Sequence, residues 1–75
     1  MSLDEAIKII EMNMISSKMI VDMLSEQYST DNNNSKLENA LASARNSAIA
    51  MSNALASLHI AKVSVHITQE AYYAN

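Results

Sequence analysis

Seventy-five residues without cysteine, glycine or proline make one small domain, and they exclude disulfides, thiolate metal sites, cysteine nucleophiles and glycine-rich phosphate loops together. A net charge of −3, with five basic residues spread along the chain, argues against a nucleic-acid surface, because that affinity rests on clustered Lys and Arg. Without Gly and Pro there are few tight turns, so elements are few and long; Ala, Ser, Leu, Ile and Met dominate and suit helix more than sheet, which makes all-α the expected fold class.

The chain opens on MSLDEAIKII, acidic ahead of its apolar run. That is the reverse of a secretory n-region, and a soluble, cytoplasmic protein is expected. Ser2 with Glu5 three residues on forms a capping box for a first helix. Asp4 and Glu5 also suit the positive end of its dipole. This helix is expected over about residues 2–28, ~40 Å long. Leu3, Ile7, Ile10, Met14, Val21, Leu24 and Tyr28 recur at spacings of three and four, with Ser17 as the one polar member. They form a narrow heptad-like seam. Ile9, Met12, Met19, Ile20 and Met23 fall on a second arc, roughly opposite. The polar face left over is narrow, and on it Asp4–Lys8 and Lys18–Asp22 are i,i+4 pairs.

The break is STDNNNS, residues 29–35. Asp and Asn tolerate left-handed backbone and bond to nearby amides, so they are expected to turn the chain as glycine does elsewhere. A short polar connection between two periodic runs predicts antiparallel neighbours. Ser35 and Glu38 repeat the capping-box spacing and open a second helix, expected over about residues 36–73 and ~55 Å long.

Leu37, Leu41, Ala44, Ala48, Met51, Leu55 and Leu58 make the matching seam, with Ala44 and Ala48 letting the backbones approach. A further stripe holds Ile49, Ala56, Ile60, Val63 and Ile67. After Leu58 the seam loses its apolar residues to Lys62, His66 and Gln69. Either the chain bends or starts a third short helix after Leu58, or the C-terminal part of the helix packs on something other than the first helix. Residues 63–68, VSVHIT, also alternate as a strand would; their only strand partner would lie across a dimer. The uncharged stretch from Asn46 to Ala61 includes three serines, two asparagines and a histidine. It is shorter than the ~20 apolar residues of a bilayer span, so no membrane insertion is expected. Tyr72 and Tyr73 are read as anchors against a helix end.

No enzyme signature is present. His59 and His66 stand two helical turns apart, too far to hold one metal from a single helix. No cofactor, metal or small-molecule substrate is expected, and the chain is read as not an enzyme. A two-helix hairpin has one interface, yet each helix carries two apolar arcs. The expected partner is another helical protein, a further copy of the chain, or both. Ile9, Met12, Met19, Ile20, Met23, Ile49, Ile60, Val63 and Ile67 are the candidate partner-facing residues.

With Ser2 to Tyr28 as one helix, a polar turn, and an Ala-rich second helix around SNALASLHIA, the chain resembles the small co-chaperones of type III secretion needle subunits. Those helical hairpins pair with a larger chaperone and keep the needle protein monomeric. The resemblance implies a cytoplasmic location, no catalysis and a protein ligand. Two other readings stay open: a self-associating helical-bundle structural protein of phage or bacterial type, and a small regulator that inhibits an enzyme by helix docking.

Overall fold

The computed structural model of the chain describes residues 1–74. Two helices, α1 (Leu3–Thr30) and α2 (Ser35–Ala74), pack against each other as an all-α antiparallel hairpin. It is a rod, 64 × 16 × 14 Å.

The N-cap of α1 is the expected one. Ser2 has extended backbone and its Oγ accepts from the Glu5 amide at 3.1 Å, satisfying one of the donors that a helix start leaves orphaned. At the other end α1 runs to Thr30, two residues past the expected stop. The Ser29 and Thr30 hydroxyls donate to the Glu26 and Gln27 carbonyls at 2.7 and 2.9 Å, and the Asp31 amide to the Tyr28 carbonyl at 3.2 Å. Polar side chains thus cap the carbonyls of the last turn.

The connection differs from expectation in two ways. No described residue has positive φ, so the turn closes without the left-handed conformation for which Asp and Asn were expected to stand in. The cap of α2 is Asn34 rather than Ser35. Asn34 Oδ1 accepts from the Leu37 amide at 3.1 Å, its carbonyl accepts from the Glu38 amide at 3.0 Å, and its Nδ2 donates to Asp31 Oδ2 at 3.1 Å. Ser35 is already the first helical residue. Asn is as good a cap as Ser, and here it also ties the new helix to the residue that ended the old one.

The seam is the one read from sequence. Every named member in both helices is buried or half-buried, with Ile7 and Leu41 the deepest at 7% and 4% exposed. Lettering the seam a and d of a heptad, α1 contributes Leu3, Ile7, Ile10, Met14, Ser17, Val21, Leu24 and Tyr28 without a break. Two contacts set the register. Lys62 Nζ lies 2.7 Å from Asp4 Oδ1, and Ser17 Oγ lies 3.2 Å from Met51 Sδ. Ile7 is therefore level with Leu58, Ile10 with Leu55, Val21 with Ala44, and Leu24 with Leu41.

The bend or third helix expected after Leu58 is absent: α2 is one helix of 40 residues. The strand reading of residues 63–68 falls with it, since they are helical throughout. The seam changes character past Leu58 because α1 is running out, not because the face turns away. Lys62 and Gln69 take seam positions level with or beyond Leu3, where α1 begins. There a lysine reaches back to Asp4, and this cross-helix pair replaces the expected Asp4–Lys8 pair. Among the described residues the only other contact of this kind is His66 Nε2 to Glu70 Oε1, at 3.1 Å, an ion pair when the imidazole is protonated; Lys18 and Asp22 do not pair. The surplus length of α2 lies at its C-terminal end, as its length relative to α1 implied.

Candidate functional site

The nine candidate partner-facing residues are all exposed, from 44% at Ile9 to 67% at Ile60. They do not form one face. The heptad lettering gives an antiparallel hairpin two flanks: positions e and b of both helices border one side of the seam, positions g and c the other. Ile9, Ile20 and Met23 lie on the g/c flank. Ile49 and Val63 lie on the e/b flank. Met12 and Met19 project from the outer edge of α1, Ile60 and Ile67 from the outer edge of α2. A single flat partner cannot cover them all.

Two grooves between the helices agree with this division. One is lined by Ser17, Ile20, Ala44, Ser47 and Met51, all from the seam and the g positions. The other, at the start of α1, is lined by Leu3, Asp4, Lys62, Val65, His66 and Gln69, from the seam and the e positions, with Ser2 just before the helix.

Charge separates the flanks. Asp4, Lys8, Glu11, Lys18 and Asp22 of α1 and Glu38, Arg45 and Glu70 of α2 all occupy e or b. On the g/c flank the one charged residue is Lys36, beside the turn. The rest of that flank is uncharged along the whole hairpin. Its α1 half carries the large residues Ile9, Ile20 and Met23. Its α2 half is a shelf of small ones: Ala40, Ser43, Ser47, Ala50, Ala54, Ser57, Ala61 and Ser64. A search for large apolar residues passes over such a shelf. The signal that finds it is the absence of charge at two heptad positions in both helices.

Three exposed apolar residues stand outside the expected set. Ile15, 60% exposed, sits among the charges of the e/b flank, and Val65, 47% exposed, ends the seam beyond the start of α1. Met1, 91% exposed, precedes α1. The Tyr72 and Tyr73 rings meet edge-on, 5.4 Å between centroids at 83°. They pack on each other and remain 77% and 82% exposed, not against a helix end as expected, because α2 has outrun α1 there.

Among the described residues no group of three His, Asp or Glu side chains is placed to share a metal ion, and no buried side-chain polar atom lacks a partner. α2 contains a window apolar and charge-poor enough, by length and composition, to cross a membrane. None of that window is fully buried in the hairpin. No family model, no curated protein and no solved structure matches the chain.

Proposed function

We propose that the chain is a non-enzymatic protein-interaction module, a small chaperone or co-chaperone that covers the apolar side of a helical partner. The observation that carries this reading is the imbalance of its apolar surface. Among the described residues Ile7 and Leu41 are the only buried hydrophobic ones, while Met12, Met19, Ile49, Ile60 and Ile67 are each more than half exposed. Large apolar residues left exposed along an edge, as Met12 and Met19 are on α1, mark a site of association. Methionine suits it, because an unbranched, polarisable side chain repacks against imperfect surfaces. The mechanism is burial. At ~25 cal/mol per Å², a few hundred Å² of apolar surface contributes several kcal/mol before ordering costs.

The resemblance to needle-subunit co-chaperones gives the reading its most specific form. The client would be a helical subunit that self-assembles when free, held as a monomer in the cytoplasm. The test is co-purification of the tagged chain from its native host, beside the variant Met12→Glu with Met19→Glu. Both residues are 61% exposed at the outer edge of α1, so the hairpin tolerates the change. The expected result is a stoichiometric helical partner that the wild-type chain retains and the variant loses. Equal recovery of the same partner by both chains would remove the methionine edge as a docking site.

A further inference from the structure

The charge-free flank can be given an occupant. We propose that it is covered by a second copy of this chain, related by a twofold axis parallel to the helices, giving an antiparallel four-helix bundle with both turns at one end. The inference does not depend on the chaperone reading, since it uses the g/c flank and not the Met12–Met19 edge on which the client test bears.

The first argument is area. A compact protein of 8.2 kDa exposes about 4,500 Å² by the scaling of surface with mass. This chain exposes 5819 Å², an excess of roughly 1,300 Å². The flank alone, α1 at ~42 Å long by the 16 Å width of the rod, offers about 700 Å² per copy. Two copies then bury about 1,400 Å², within the range of stable, specific interfaces. Part of the excess is left over, which leaves the outer edges free for another partner.

The second argument is self-complementarity. A rotation about an axis parallel to the helices keeps every residue at its own level. It lays the α1 half of one flank on the α2 half of the other, with neighbouring helices antiparallel throughout. In the register set by Asp4–Lys62, Ile9 then meets Ser57 of the copy, Ile20 meets Ser47 and Met23 meets Ser43. Each large residue of one chain is met by a small one of the other, twice over by symmetry. A twofold perpendicular to the helices would instead set large residues on large and shelf on shelf. Serines on such a shelf are inexpensive to bury, because a helical hydroxyl can donate to the carbonyl four residues back.

The third argument is charge. Covering the opposite flank would strip water from five charged side chains of α1 and several of α2. Covering this one desolvates none but Lys36, at the rim.

The test uses the full chain. Sedimentation equilibrium should return twice 8.2 kDa for the wild type and a single chain for Ala54→Glu, which places a charge mid-shelf on an exposed position. Ser52→Glu, on the charged flank, should remain dimeric. The chain has no cysteine, so Asn33→Cys supplies one label site at the turn without touching the flank. Labels on the two copies should lie within about 20 Å, from helix spacings of 8–10 Å, rather than the 64 Å of the rod apart. A monomeric wild type overturns the proposal, as does any assembly that Ala54→Glu leaves unchanged. Labels at opposite ends overturn the axis. Loss of the partner in the Met12/Met19 variant while the dimer persists would separate this interface from the client edge.

Discussion

Asn34 is where the hairpin can be tested most finely. Its side chain supplies the acceptor for the Leu37 amide and a donor to Asp31, at 3.1 Å each. Replacing it by alanine removes the cap, at a cost of about 1 kcal/mol. The exposed amide–carboxylate bond adds a few tenths at most, since water replaces both partners. For a chain of this size 1 kcal/mol lowers the melting midpoint by about 4–8 °C. Ser35→Ala should do nothing of the kind, because Ser35 lies inside the first turn and alanine is the better helix former. Asn34→Gly should fall between, glycine being a tolerable cap. The assay is thermal and urea unfolding followed by far-ultraviolet circular dichroism, at one fixed protein concentration so that any self-association contributes equally to every variant. If Ser35→Ala is the damaging change and Asn34→Ala is silent, Ser35 and not Asn34 caps α2.

Two further outcomes are expected. Leu41→Ala, at the most buried position, should cost about 2–4 kcal/mol, against under about 0.5 kcal/mol for Met12→Ala on the exposed edge; comparable losses from urea midpoints would mean that the seam is not the core. Asp4→Ala should cost under about 0.5 kcal/mol, since Lys62 and Asp4 are 55% and 73% exposed and such pairs are weak. Lys62→Leu should hold or raise stability by adding apolar contact next to Leu3 and Val65, and a clear loss would show the ion pair to be a clamp.

The seam was legible residue by residue because a strict alternation of three and four leaves a helix one way to face its neighbour. The nine exposed apolar residues were legible for the same reason: they are what the seam does not use. Their division between two flanks and two edges was not, because it depends on which side of the partner helix each position borders, and that needs the register. The cap went to Asn34 because two adjacent residues, Asn34 and Ser35, are both good caps, and the box spacing to Glu38 favours the wrong one. The change of character after Leu58 was a true signal with the wrong cause. Sequence shows that the face stops being apolar, and only the placement of α1 shows that nothing remains to face.

The unequal lengths of the helices also bear on how the fold is reached. Starting a helix is costly and extending one is not. The turn and the Leu24–Leu41 end bring the two helices together with the least loop to close, so ordering can begin there and proceed outward. Along most of α2 each added turn gains contact with α1; past Lys62, level with the start of α1, the turns are added to an existing helix and every residue through Tyr73 is exposed. Amide exchange should therefore slow toward Leu41 and quicken steadily toward Tyr73. That end of the rod is the last to order and the first to be released, so a binding partner that holds it would stabilise α2 from the end the hairpin leaves unsupported.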